Sequence, residues 1–76
     1  MLSAKENYEI AMLKHDYKVK RQLKKVEKSI NREVKRGRFN TWIYGGLYNE
    51  TKEKLESLGY KTSFNFDFVG TLISWD

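Results

Sequence analysis

The first half of the chain has the composition and the boundaries of a helix. Residues 3–36 contain no glycine and no proline and are dense in lysine, glutamate, leucine and arginine, which are good helix formers. Ser3 and Glu6 have the spacing of a capping box, and Gly37 is a typical residue just beyond a helix end. The sequence therefore predicts a basic helical segment over residues 1–36.

Two apolar stripes run along this segment. The first consists of Ile10, Leu13 and Tyr17. The second consists of Val19, Leu23, Val26, Ile30 and Val34. The step from Tyr17 to Val19 turns the apolar side by roughly 160° at 3.6 residues per turn. Two alternatives stay open: the chain bends near His15 and Asp16, or one straight helix shows different sides to different neighbours.

A straight helix of this length would extend beyond its own domain, because a compact globule of 76 residues has a radius of gyration of only about 11 Å. The part that extends beyond the domain would need a partner. We therefore expect a homo-oligomer, with Leu23 and Ile30 in the contact between copies.

The second half of the chain changes to the period of β-strands. Strands are predicted at residues 39–44, 60–68 and 71–75, because these runs are rich in aromatic and β-branched residues and the second alternates strictly between apolar and polar. A short helix is predicted from an N-cap at Asn49 to Gly59, and a tight turn at Gly70. The expected core includes Phe64, Phe66, Ile73 and Trp75.

These elements predict an α+β fold in a single domain over residues 1–76. A long basic N-terminal helix is followed by a β-α-β-β unit over residues 38–76. The connection between the first two strands is long enough for a crossover, so these strands are expected to run parallel and the last two to form a hairpin.

The composition excludes several kinds of site. The chain has no cysteine, and His15 is its single histidine, so disulfides and a Cys/His zinc site are excluded. We expect neither a metal nor a cofactor. No apolar run approaches the roughly 18 residues of a membrane span. The prediction is a cytoplasmic protein without a membrane partner.

Catalysis has little support in the sequence. His15 lies among Lys14, Asp16 and Lys18, away from any paired nucleophile, and is expected to be solvated or to pack against a helix. Glu50 and Glu53 are ordinary acidic residues at a helix N-terminus. We therefore expect a binding protein and not an enzyme.

Positive charge is concentrated in one segment. The chain has a formal net charge of +5, and residues 14–38 contain eleven lysines and arginines against three acids. Seven cations recur at helical spacing and form a basic stripe: Lys14, Lys18, Arg21, Lys25, Lys28, Arg32 and Lys35. Such a stripe either binds an anionic partner or is a solvated face, and the sequence leaves both interpretations open.

Three aromatic residues form a second candidate contact surface, namely Trp42, Tyr44 and Tyr48. Exposed aromatic residues beside cations are typical of surfaces that stack nucleic-acid bases. They also serve as core or oligomer contacts in small domains, which the sequence favours.

Several segments resemble a large set of short bacteriophage proteins. The matching segments are Ile30 to Val34, Gly37-Arg38-Phe39, Leu55 to Lys61 with its Gly-Tyr helix end, and the final strand Leu72-Ile73-Ser74-Trp75. The resemblance implies an anti-defence protein of the host cell cytoplasm, which inhibits a host protein or sequesters an anionic nucleotide signal. The alternative is a nucleic-acid-binding protein that lays its basic helix along phosphates.

Overall fold

The basic segment forms one continuous helix, α1 (Ala4–Lys35), in the computed structural model of the protein, which describes all 76 residues. Ser3 is its N-cap and accepts a hydrogen bond from the backbone N–H of Glu6. Gly37 follows the helix end in the left-handed conformation, with φ of 73°. The helix continues without a break through His15, so the single helix is the correct one of the two alternatives.

α1 extends well beyond the rest of the molecule. The longest dimension is 53 Å and the radius of gyration is 15.0 Å, whereas a compact chain of this length would have a radius of about 11 Å. Residues 1–14, which we call the overhang, are all exposed. Tyr8, Ile10 and Leu13 are among its exposed apolar side chains, and Leu13 is 72% exposed. The predicted extension beyond the domain is therefore present.

Three strands form one antiparallel sheet beside α1. They are β1 (Asn40–Tyr44), β2 (Lys61–Asn65) and β3 (Gly70–Ser74), in the order β1-β3-β2. Helix α2 (Asn49–Ser57) connects β1 to β2. The predicted hairpin joins β2 and β3, and β1 and β2 run in the same direction with β3 between them. The fold is α+β, as the sequence predicts.

The ends of α2 differ in how well the sequence predicts them. Its N-cap is Tyr48, which makes no side-chain capping bond, so the predicted cap at Asn49 is one residue late. Its C-terminal end is as predicted. Gly59 has φ of 93°, and the N–H of Tyr60 donates to the carbonyl of Leu55.

The turn between β2 and β3 corrects the prediction of a strand through residue 68. The side-chain oxygen of Asn65 accepts hydrogen bonds from the backbone N–H groups of Asp67 at 2.9 Å and Phe68 at 3.2 Å, which ends the strand. Phe66 lies in this turn and is 84% exposed, so its predicted place in the core is wrong. Gly70 is the first residue of β3 and not part of the turn.

Both helices cover the same side of the sheet and enclose the core. The core consists of Val26, Ile30, Leu55 and Ile73, with Trp75 packed against it. Ile73 and Trp75 are thus confirmed, whereas Phe64 stays partly exposed. Ile30 belongs to the chain's own core, so its expected role in an oligomer contact is wrong. Val19, Val26 and Ile30 of the second apolar stripe are buried within the same chain, whereas Val34 is exposed and the first stripe stays uncovered.

The other side of the sheet, which we call the outer face, carries no helix. Trp42 and Tyr44 of β1 point to it, because they alternate with Thr41 and Ile43 on the covered side. Trp42 is 51% exposed and Tyr44 is 89% exposed. Of the predicted core or oligomer contact, the core position is therefore wrong for both residues, and the oligomer contact stays a prediction. No helix of the chain is both long and apolar enough to span a membrane.

Candidate anion-binding cleft

The middle of the basic stripe faces the end of β1 across an open cleft of about 290 Å³. Three cations enter it from consecutive turns of α1, and two tyrosines enter it from the opposite side. The lining consists of Lys18, Arg21, Gln22, Lys25, Ile43, Tyr44 and Tyr48. We call this space the basic–aromatic cleft. It brings together residues from the two surfaces that the sequence indicates separately.

Gln22 holds the two walls of the cleft together. Its side-chain NH2 group donates to the carbonyl of Gly46 at 3.2 Å, and its side-chain oxygen accepts from the backbone N–H of Tyr48 at 2.9 Å. One side chain of α1 therefore fixes the loop that carries Tyr48. The charge and aromatic patterns of the sequence do not indicate Gln22, although an amide on the apolar side of a helix, between Val19 and Val26, is a usable signal.

His15 makes a second link at the same end of the cleft. Its Nε2 donates to Oε2 of Glu50 at 2.6 Å, and its ring meets that of Tyr48 edge to face with the centroids 5.2 Å apart. His15 is thus a helix-packing residue, one of the two roles that the sequence predicts for it. The contact packs the ring of Tyr48 against α1.

Arg21 makes one aromatic contact within α1. Its guanidinium carbon lies 5.9 Å from the centroid of the Tyr17 ring, which is within the range of a cation–π interaction. The arginine has no acidic partner among the ion pairs of the structure, and neither has Lys18 or Lys25. None of the three cations of the cleft is therefore held in an ion pair within the chain.

The other four cations of the stripe lie outside the cleft. Lys14 is exposed at the end of the overhang. Lys28, Arg32 and Lys35 border a separate polar hollow farther along α1, together with Lys24, Glu27 and Arg36. The stripe thus has an aromatic neighbour only at its middle.

Arg32 differs from the lysines because it is engaged within the chain. Its Nε donates to Oε1 of Glu33 at 3.3 Å, and a terminal nitrogen donates to the hydroxyl of Ser29 at 3.4 Å. Arg36 and Arg38 also pair with Glu33, at 3.3 and 3.1 Å. Arg32 is therefore a structural residue at least as much as an anion ligand.

The carboxylate of Glu33 is the centre of this arginine cluster, and the residue as a whole is only 6% exposed. Burial by itself would raise the pKa of Glu33. The hydrogen bond from Arg32 and the charges of Arg38 and Arg36 outweigh it, and the pKa of Glu33 lies below its ordinary value. The acid stays ionised and fixes the end of α1.

Trp42 is not part of the cleft. It lies on the outer face beside a separate hollow of about 370 Å³, whose lining also includes Tyr44, Phe68 and Gly70. Tyr44 borders both spaces. Of the three aromatic residues that the sequence indicates, Tyr44 and Tyr48 line the cleft. Trp42 lines only the neighbouring hollow on the outer face.

Comparison with known proteins gives no relative for this chain. No family model, no curated protein and no solved structure matches it. The function must therefore be inferred from the geometry of the cleft.

The cleft has the chemistry to hold an anion that also carries a planar group. Lysine and arginine provide charge-assisted hydrogen bonds to phosphate or carboxylate oxygens. Tyr44 and Tyr48 provide ring faces and edges on the opposite wall, and phenol groups that form hydrogen bonds. This combination is typical of sites for nucleotides.

Proposed function

We propose that this chain is a non-enzymatic binding protein that holds a nucleotide-type anion in the basic–aromatic cleft. The observation that carries the proposal is the convergence of Lys18, Arg21 and Lys25 with Tyr44 and Tyr48 in one cleft. The cations bind the phosphates, and a tyrosine ring stacks on the base. Binding is stoichiometric, and the residues of the cleft hold the ligand without carrying out a chemical step.

The size of the cleft favours a small ligand over a protein. A volume of about 290 Å³ is close to the lower end of small-molecule sites, which begins at about 300 Å³. A protein partner needs no such concave site, because protein interfaces bury broad surfaces of about 800 Å² on each partner. Of the two anti-defence roles that the resemblance to phage proteins implies, sequestration of a nucleotide signal in the host cytoplasm therefore fits better than inhibition of a host protein.

Nucleic-acid binding along α1 is the alternative function. It is favoured by Lys28 and Lys35, which continue the line of cations beyond the cleft. For random duplex DNA we expect only weak, non-specific affinity, about 10⁻⁴ to 10⁻⁶ M, because one helix face contacts a duplex over a short arc. A nanomolar dissociation constant in a gel-shift titration at about 150 mM salt would favour the alternative.

The overhang supports a homo-oligomer as the working form of the protein. Residues 1–14 are all exposed and carry large apolar side chains. Most helical stability in proteins comes from the packing of an apolar face, so a second copy that covers Ile10, Leu13 and Tyr17 would stabilise the overhang. The contact differs from the one predicted from Leu23 and Ile30.

Isothermal titration with ATP, and with tripolyphosphate as a base-free control, tests the proposed function. We expect ATP to bind more tightly than tripolyphosphate, because only ATP can stack on a tyrosine. Arg21→Glu with Lys25→Glu should weaken ATP binding by about 10-fold or more. The matched pair Lys28→Glu with Lys35→Glu changes the net charge equally but lies outside the cleft, and should have a much smaller effect.

Two results would contradict the proposal. One is the absence of any ATP binding by the parent protein. The other is an equal loss of affinity in both charge-reversed variants, which would indicate attraction by net charge without a defined site. Circular dichroism of both variants checks that α1 is intact.

A further inference from the structure

The outer face of the sheet provides an aromatic surface next to the cleft. Trp42, Tyr44 and Phe68 are exposed around the hollow of about 370 Å³. Gly70 is the partner of Tyr44 across the β1–β3 ladder, and a Cβ atom at Gly70 would lie 3.5 Å from the Trp42 ring and 3.3 Å from the carbonyl oxygen of Ile43. The indole ring therefore lies across a glycine, where no side chain displaces it.

This hollow adjoins the basic–aromatic cleft. Ile43 and Tyr44 line both spaces, so Tyr44 stands at the border between the cations of α1 and the indole of Trp42. The three strands contain no acidic residue, and Lys61 is their one charged residue. A phosphate-bearing ligand would meet no negative charge on the strands as it passes from the cleft to the outer face.

The spacing of the two exposed rings of β1 fits successive bases. Trp42 and Tyr44 lie two residues apart on one side of a strand, roughly 6.7 Å at 3.3–3.4 Å per residue. Adjacent bases of an extended single strand have a similar separation. The bases of a duplex are paired and stacked inside the helix and cannot lie on these rings.

From this arrangement we infer that the ligand is a single-stranded nucleic acid of two or more nucleotides. Its phosphates lie along Lys18, Arg21 and Lys25, one base stacks on Tyr44 at the border, and the next stacks on Trp42. The inference rests on the proposed function, since it uses the same cations. It adds a second base subsite, on the outer face, and it excludes duplexes as ligands of the complete site.

Titration with thymidine oligonucleotides of increasing length, starting from the mononucleotide, tests this inference. We expect the affinity to rise steeply from one nucleotide to about three and then more slowly. Trp42→Ala should make the gain in affinity from one to three nucleotides about 10-fold smaller. Each base that stacks on an aromatic residue contributes substantially to the binding free energy. Trp42→Ala should leave the affinity for the mononucleotide unchanged. Trp42→Phe should keep most of the gain in affinity with length.

The matched control is Phe66→Ala, which removes another exposed aromatic ring, 84% exposed against 51% for Trp42, that does not border the hollow. It should not change the dependence on length. Equal affinity for one and four nucleotides, or the same rise in Trp42→Ala as in the parent, overturns the inference while the proposed function stands. Absence of binding by every oligonucleotide and by ATP overturns both. A lower sedimentation mass of Trp42→Ala would identify the outer face as a contact between copies and also overturns the inference.

Discussion

The backbone N–H of Tyr48 donates to the side-chain oxygen of Gln22 at 2.9 Å, across 26 residues of sequence. The other end of the same amide donates to the carbonyl of Gly46. Both walls of the basic–aromatic cleft thus depend on one residue of α1. The shape of the cleft is therefore coupled to the packing of the loop against the helix.

Gln22→Ala should loosen this loop and weaken ligand binding. The loss of two hydrogen bonds at a partly exposed position should lower the free energy of unfolding by about 1 kcal/mol, measured by urea denaturation. The affinity for ATP should also fall, because Tyr48 is no longer held in place. The loss of binding free energy should exceed the loss in the free energy of unfolding. Asn31→Ala removes an exposed amide on another side of α1 and serves as the control. An unchanged ATP affinity in Gln22→Ala would mean that the loop needs no such support.

Ser29 and Thr41 form a buried hydroxyl pair between α1 and β1, with their oxygen atoms 2.6 Å apart. Ser29→Ala leaves the Thr41 hydroxyl buried without this partner and should cost about 1–3 kcal/mol of stability. Thr41→Val should cost less, because Ser29 still accepts a hydrogen bond from Arg32. In a double-mutant cycle by urea denaturation, the double variant should lose less than the sum of the single variants. Strict additivity would mean that the pair contributes no interaction energy.

Glu33 should make the stability of the protein depend on pH under acidic conditions. Its pKa in the folded state is lowered, so its contribution is fully present above the ordinary glutamate pKa of about 4.3 and is lost as the pH falls through the lower folded value. Urea denaturation between neutral pH and about pH 3 should therefore show a steeper loss in the parent than in Glu33→Gln. The exposed Glu27→Gln should behave like the parent. The same pH dependence in all three proteins would contradict the assignment.

The overhang should mediate association of two copies. Sedimentation at micromolar concentration should give a mass of at least twice the 9.1 kDa of the chain. Leu13→Lys should reduce that mass to the monomer, because it places a charge in the first apolar stripe without touching the core. Asn7→Lys, an exposed polar position in the same segment, should leave the mass unchanged. A monomeric parent protein would contradict this prediction, whereas Ile30→Lys is unsuitable as a test because it disrupts the core.

Local patterns were sufficient for the type and order of the elements. Ser3 and Gly37 mark the ends of α1, and Gly59 marks the end of α2, because caps and left-handed glycines act within a few residues. The hairpin of β2 and β3 likewise follows from their proximity in sequence. The prediction failed at Phe66, where the side chain of Asn65 ends the strand although the apolar alternation continues.

The cleft depended on contacts that no local pattern contains. The sequence indicates the cations and the aromatic residues as two separate surfaces, and only the packing of α1 on the sheet brings Lys18, Arg21 and Lys25 to Tyr44 and Tyr48. It also divides the aromatic residues between the cleft and the outer face. The same packing decides which apolar stripe is buried.

Polar residues on the buried side of α1 connect the local sequence pattern with the tertiary packing. Gln22, Ser29 and Glu33 interrupt the apolar pattern, and each makes a polar contact with another part of the chain, to Tyr48, Thr41 and Arg38 respectively. The sequence determines that these groups lie on the side that packs, because helical periodicity is local. Only the tertiary structure decides which partners satisfy them, because a buried polar group needs a hydrogen bond but its own sequence neighbourhood does not specify where that bond is made.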